Sequence, residues 1–304
     1  MKTFPITLAL ILAAFSRVSA QVTVELVPGQ EQFLPGESMV LAVKITNQSG
    51  RPLHFGGEAN WLTFSVESLD SFVVIKNGEV PVAGEFDLES SQMGTKRVDI
   101  TPYFTMTRPG RYKVIATLRV KDLSASTASA PKIFDIISGA KLWTQDFGVP
   151  ATSGAPEMRK YSLEQASYFN SSMRLFVQVG DAGDSRVYKT TQLGQTLSFS
   201  RPEAQVDRKS ILHVLWQSGA QAFSYCQIDC TGAVVRRDIY DDATTHPRLG
   251  VNENGDVVVL GGVRRVKPGE TPVTEAPPAM PVEVAAPAQA PAIAPPPADK
   301  TADK

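Results

Sequence analysis

Arg108-Pro109-Gly110-Arg111-Tyr112-Lys113-Val114-Ile115-Ala116-Thr117-Leu118-Arg119-Val120 decides how this chain is built. The Pro-Gly pair ends whatever precedes it. Tyr112, Val114, Ala116, Leu118 and Val120 then alternate with Lys113, Ile115, Thr117 and Arg119. Successive side chains of a strand point to opposite faces, so this alternation predicts one buried face and one solvated face. Met39, Leu41, Val43 and Ile45 keep the same period, as do Leu62, Phe64 and Val66, and Val22, Val24 and Leu26. Turn signals separate the runs: Pro35-Gly36, Asn47-Gln48-Ser49-Gly50, Asn77-Gly78 and Pro109-Gly110. Asn77-Gly78, between Val73-Val74-Ile75 and Val80-Pro81-Val82, predicts a hairpin. Short strands at this spacing predict an all-β fold, with a two-sheet sandwich over residues 21–138.

Two segments within that span resemble a known type of domain. They are Leu34-Pro-Gly-Glu-Ser-Met-Val-Leu-Ala-Val-Lys-Ile-Thr-Asn47 and Asp99-Ile-Thr-Pro-Tyr-Phe-Thr-Met-Thr-Arg-Pro-Gly-Arg-Tyr112-Lys-Val. Their order is similar to an immunoglobulin-like β-sandwich of the kind found in exported bacterial proteins. The Pro-Gly-x-Tyr run resembles a tyrosine corner, which implies that the Tyr112 phenol bonds back to nearby backbone. Both core cysteines of antibody domains are missing. The resemblance implies a fold and carries no activity with it.

The rest of the chain divides by composition. Residues 1–20, MKTFPITLALILAAFSRVSA, read as a signal peptide: Lys2, an apolar run from Ile6 to Phe15, then Val18-Ser19-Ala20. The run is too short for a spanning helix of ~20 residues, so export without stable membrane insertion is expected, to the periplasm or the medium. Residues 139–160, rich in Gly, Pro, Ser and Ala in their second half, read as a linker. Residues 161–266 contain a weak repeat, in which Leu175-Phe-Val-Gln-Val179 is matched by Leu212-His-Val-Leu-Trp216 and loosely by Val257-Val-Val-Leu-Gly261. The unit resembles a β-propeller blade, although nearly three copies are fewer than the four that rings typically need. Either the sheets close as a small sandwich or partner chains complete the ring. Residues 267–304 hold ten prolines and ten alanines, the composition of a disordered Pro/Ala-rich tail.

Bulk charge narrows the partners. With 30 basic and 31 acidic side chains and a net charge of −1, no field of one sign would attract nucleic acid. Three histidines and two cysteines leave little material for a metal site, and no cofactor motif is present. Cys226 and Cys230 form a candidate disulfide only if the turn at Asp229-Cys230-Thr231-Gly232 folds back. In one extended strand, four residues would set their α-carbons ~13 Å apart, beyond the ~7 Å limit. Asp241, Asp242 and His246 would suggest hydrolysis if they converged with Tyr225 or Trp216; alone they read as a polar loop. Trp61, Trp216 and Tyr225 are candidate ligand-binding aromatics, since flat rings stack on sugars. Asn47-Gln-Ser49 and Asn170-Ser-Ser172 fit the glycosylation sequon.

The resulting expectation is a non-enzymatic binding or scaffolding protein of the cell envelope, recognising protein or glycan through sheet edges and loops. Two alternatives stand beside it. One is a carbohydrate-processing or other hydrolytic module in residues 161–266. The other is a self-associating subunit of a larger envelope assembly.

Overall fold

The computed structural model describes residues 22–123, 125–149, 157–168 and 172–266. The expected signal peptide and the expected tail lie outside them. Among the described residues there is no α-helix, only two single-turn 3-10 segments at Thr101–Tyr103 and Lys121–Leu123.

The first half is two sheets around one core. β1 (Val22–Pro28), β3 (Val40–Asn47) and β7 (Met93–Asp99) form one antiparallel sheet in the order β1-β3-β7. β2 (Gln32–Phe33), β10 (Lys132–Ile136), β8 (Gly110–Val120) and β5 (Leu62–Ser68) form the other in that order, with β2 parallel to β10. β9 (Ala125–Ala128) pairs with β8, and β4 (Leu53–Phe55) with β6 (Phe86–Leu88). The alternating positions named above all point inward: Leu41, Val43, Ile45, Tyr112, Ala116 and Leu118 are buried in a single cluster. Tyr112 donates its hydroxyl to the Arg108 carbonyl at 2.7 Å, the back-bond expected of the Pro-Gly-x-Tyr run. Burial pushes this phenol up to about 12.

Asn47 shows how a turn residue becomes structural. Its side chain is fully buried and donates to the Arg51 carbonyl at 2.7 Å and the Leu88 carbonyl at 2.9 Å. This amide is committed to the fold, so the first sequon is not presented for glycosylation; Asn170 lies outside the described residues.

The hairpin expected at Asn77-Gly78 does not form. Residues 70–85 are irregular, and Lys76 makes an isolated bridge to Phe104. Asn77 N donates to the Tyr103 carbonyl and Thr105 N to the Ile75 carbonyl, both at 2.9 Å. Pro81 supplies no N–H to the second arm, so the segment pairs with the chain before β8 instead.

The second half corrects the expected linker. β11 (Ala140–Val149) and β12 (Glu157–Ala166) are paired strands that continue into β13 (Arg174–Asp181) and β14 (Val187–Gln195) as an up-and-down sheet. The Gly/Pro/Ser composition belongs to the connection of this hairpin. Trp143 and Phe147 lie on β11, and Phe147 stacks on Tyr161 with ring centroids 4.0 Å apart. A second sheet follows in the order β15 (Glu203–Val206), β16 (Leu212–Gly219), β17 (Ala222–Ile228), β18 (Val234–Asp241) and β21 (Val263–Arg264). β19 (Arg248–Val251) and β20 (Val257–Leu260) form a separate hairpin.

The two sheets share one core. Tyr161, Leu163, Leu175, Val177 and Leu193 from the first meet Leu212, Val214, Trp216, Cys226 and Ile228 from the second. Neither sheet closes on itself. The sequence repeat is out of step with the strands: Leu175 opens the third strand of its sheet, Leu212 the second of its own, and Val257 a two-stranded ladder. What recurs in the sequence is the hairpin pattern rather than one matched unit.

Candidate functional site

A concavity forms where the Leu34-Pro-Gly-Glu37 turn meets β14. Pro35 and Gly36 make the turn, closed by Glu37 N donating to the Leu34 carbonyl at 3.1 Å. Gly36 has φ +75°, and a Cβ there would sit 2.4 Å from Val187 Cγ1. Only glycine meets both demands. The turn is fixed to the second half by backbone and side chain together. Thr190 N donates to the Gly36 carbonyl at 2.9 Å and Thr190 Oγ1 to the Pro35 carbonyl at 2.6 Å. The Glu37 carboxylate accepts from Leu34 N at 2.9 Å, from Gln30 Nε2 at 3.0 Å and from the Tyr168 hydroxyl. Beside these bonds, Leu34 packs in a small buried cluster with Ala166, Tyr168 and Phe176.

The groove next to this clasp holds about 420 Å³, within the range of small-molecule and peptide sites. Met39, Phe104, Met106 and Ile136 supply buried apolar lining. Asn77, Thr105 and Thr107 belong to the first half, and Arg186, Val187, Tyr188 and Lys189 to β14 and the turn before it. Asp99 also lines it, with both oxygens engaged by Ser38 Oγ at 2.6 Å, Met39 N at 3.2 Å and Thr101 N at 3.0 Å.

Tyr188 is the extra residue of a β-bulge, because the register passes from Val179–Lys189 to Gly180–Val187. Gly180 makes this bulge sterically accessible: a Cβ there would lie 2.8 Å from the Arg186 carbonyl. The Tyr188 ring is covered by the guanidiniums of Arg159 and Arg186, 4.7 and 5.2 Å from its centroid. Its hydroxyl donates to Glu157 at 2.9 Å, and Arg159 grips the same carboxylate through two nitrogens. The hydrogen bond from Arg159 holds Glu157 below the usual carboxylate value, and the bond to Glu157 holds the Tyr188 phenol above its own.

Comparison with protein-family models, curated proteins and solved structures gives no match. The site therefore stands on its own geometry.

The aromatic residues singled out from the sequence are placed elsewhere. Trp61 is 4% exposed and donates its indole N–H to the Val82 carbonyl at 3.1 Å. Its edge touches a minor pocket of about 100 Å³ beside His54 and Lys121. Trp216, 1% exposed, donates to the Gln195 carbonyl at 3.0 Å within the inter-sheet core. Tyr225 is buried on the opposite face of its sheet, packed with Leu215 and Phe223. None of the three presents a free ring face on which a sugar could stack. Cys226 and Cys230 are both free thiols, the first buried in the core and the second in the turn. Burial pushes the Cys226 thiol up to about 11, away from reactivity.

The groups weighed for hydrolysis do not join. Asp241 is clamped by Arg265 at 2.6 Å, and His246 Nδ1 lies 2.8 Å from Asp242 in an exposed loop. Trp216 and Tyr225 sit on opposite faces of the β16–β17 pair. A different chain of polar groups is assembled instead. The Tyr225 hydroxyl lies 2.7 Å from His213 Nδ1 and accepts from Gln227 Nε2 at 2.9 Å, while His213 Nε2 lies 3.4 Å from Asp207. Every group is satisfied if Tyr225 donates to Nδ1 and Nε2–H donates to Asp207. Desolvation lowers the His213 value, outweighing Asp207, so the neutral ring is favoured. His213 and Tyr225 are each 3% exposed, so this chain braces the sheet from within.

Among the described residues no group of three or more His, Cys, Asp or Glu side chains is arranged to hold a metal. No described helix is long and apolar enough to cross a membrane. Sequence reasoning missed Arg186, Tyr188 and Lys189. Their only local signal is the Gly180-Asp-Ala-Gly-Asp-Ser185 turn before them, and it does not reveal that a turn near residue 35 docks alongside.

Proposed function

We propose that this chain is an exported, non-enzymatic binding protein of the cell envelope, and that the groove beside Leu34-Pro-Gly-Glu37 is its recognition site. The observation carrying this reading is the clasp itself. A concavity whose two walls are tied by the Thr190–Pro35, Thr190–Gly36 and Tyr168–Glu37 bonds is formed before any ligand arrives. Preorganised walls reduce the ordering cost of binding. The buried state of Trp61, Trp216 and Tyr225 favours a protein partner over a glycan.

The fold reading extends in the same direction. The orders β1-β3-β7 and β2-β10-β8-β5, the parallel β2–β10 pair and the Tyr112–Arg108 bond support an immunoglobulin-like sandwich for residues 21–138. The two up-and-down sheets of the second half support a blade-like origin, packed as a pair rather than as part of a ring. Export rests on residues 1–20.

Crosslinking pull-down from the native envelope tests the reading, using the full chain and a Thr107→Trp variant that fills the groove from an exposed position. Loss of the captured partner in the variant, with an unchanged melting curve, is expected. An identical set of captured proteins would place recognition elsewhere.

A further inference from the structure

We propose that the β19–β20 hairpin is a flap over the outer face of the second sheet, held shut while the His213 imidazole beneath it is neutral and released when that ring takes up a proton. The hairpin is a separate two-stranded ladder, joined to neither sheet of the second half. Among the described residues, one hydrogen bond ties it to the strands below, from Leu249 N to Glu203 Oε2 at 2.6 Å. The rest of its hold is packing: Leu249 and Val259 rest on Leu215, Phe223 and Tyr225. Its two legs meet at a waist, where Gly262 N donates to the Thr245 carbonyl at 2.8 Å. Gly261 and Gly262 have φ +75° and +68°, and a Cβ on either would lie 2.6 Å from the opposite leg, at the His246 carbonyl and at Pro247 Cγ. Paired glycines at such a waist are where a hinge takes up changes in φ and ψ.

The register places His213 under this ladder. Glu203 lies opposite Leu215 and Gln205 opposite His213. Leu249 is fixed at the Glu203 end, and the turn at Gly255 comes so near Arg208 that a Cβ there would be 2.7 Å from its guanidinium. The hairpin therefore runs from Leu215 to Arg208, and His213 falls between. Val257, the buried residue of β20, alternates with Val258 and so faces the same way as Val259. With Tyr225 donating to Nδ1 and Nε2–H donating to Asp207, a proton from solvent adds to Nδ1. The phenol must then accept from Nδ1–H as well as from Gln227, and its own proton is turned towards the apolar underside of the flap. Desolvation already outweighs the pull of Asp207, and Arg236 adds to it. Nothing else nearby settles the cation. Asp238 is taken up by Arg236 and Arg264, and Tyr240 packs against Tyr225. Glu203 and Arg208, and on the flap Arg248, Glu253 and Asp256, are exposed. At the waist Asp242 pairs with His246, whose ring stands on Phe223. Raising the flap returns water to His213 and its value to the ordinary 6.5, so opening grows as pH falls below that point.

The test is amide hydrogen exchange on the full chain, read by mass spectrometry at pH 7.5 and pH 5.0 and corrected for the intrinsic rate at each. Protection of residues 249–259 is expected to fall about threefold or more at the lower pH, while residues 161–165 and 212–216 keep theirs. His213→Gln should hold the flap's protection level between the two conditions. Asp207→Asn keeps an oxygen for the Lys209 and Ile211 amides but removes the charge that favours the cation, so it should deepen the fall. This variant leaves His213 in place and reads the ring even where His213→Gln does not fold. His246→Gln should leave the response unchanged. Equal protection at both pH values overturns the proposal. So does a loss shared by residues 212–216, which would mean that the whole sheet opens. A response that survives in His213→Gln, vanishes in His246→Gln or fails to deepen in Asp207→Asn also overturns it.

Discussion

The two halves of this molecule bury polar groups differently. Among the described residues of the first, the buried polar side chains are Gln32, Asn47 and Ser129, with no carboxylate or histidine among them. In the second they include Glu164, His213 and Asp238. The difference follows from how many faces of each sheet are covered. β3 and β8 bury alternate residues on one face, so the polar positions of the pattern reach water. β12 buries four consecutive residues, from Tyr161 to Glu164, and β16 five, from Leu212 to Trp216. A sheet covered on both faces draws the polar half of its alternation inside. Each such group must then find a partner or shift its proton affinity. Asp238 does the first, between Arg236 at 2.5 Å and Arg264 at 3.3 Å. Glu164 does the second: burial raises its value, only partly offset by Lys141.

The sharpest way to break this comparison is to remove the residue that holds the second half's shared core. Trp216→Ala is expected to cost about 3–5 kcal/mol by denaturant unfolding, since it opens a cavity between two sheets. A loss under about 1 kcal/mol would mean the sheets do not depend on one core. Next in size is the clasp. Tyr168→Phe removes a hydrogen bond to the charged Glu37 and should cost about 1.5–3 kcal/mol. A cycle with Glu37→Gln should show strong coupling; simple additivity would mean the two halves are energetically independent. Tyr112→Phe, in the first half, deletes a neutral bond and should cost about 0.5–1.5 kcal/mol, read from the same unfolding midpoints.

The smallest effects sharpen the contrast through pH. His213 is folded with a value below its ordinary 6.5, so the unfolded chain binds the proton first. Stability should therefore fall as pH drops below about 6.5, and His213→Gln should remove that part of the slope. Glu164 has the opposite sign. Its folded value lies above the ordinary 4.5, so its contribution is full below that pH and is lost as pH rises through the folded value. Glu164→Gln should flatten this limb. Slopes unchanged in both variants would show that neither group is desolvated in solution.

These differences also explain what could be read from the chain alone. One-face burial writes itself into alternation, so the strands around Leu41, Phe64 and Val114 were legible. Two-face burial blurs the period in β16, whereas β11 and the start of β12 looked like a connector because they are nearly all exposed, Phe147 being the one buried side chain of β11. The hairpin at Asn77-Gly78 was misread because local turn chemistry lost to pairing with Tyr103 and Thr105. Trp61, Trp216 and Tyr225 looked like binding rings because composition does not reveal which face of a strand is covered. The groove was illegible because Thr190 and Pro35 are 155 positions apart, and no local pattern encodes such a meeting.

That separation has a consequence for when the chain becomes competent. Synthesis proceeds from the N-terminus, so a sandwich ending near residue 136 can assemble while β14 has yet to be made. The groove cannot exist until the strand carrying Tyr188 arrives and seats itself against a turn folded long before. A prematurely terminated molecule would have an intact first core and only one wall of the groove, so under the proposed binding role engagement would itself report that translation reached the later sheets.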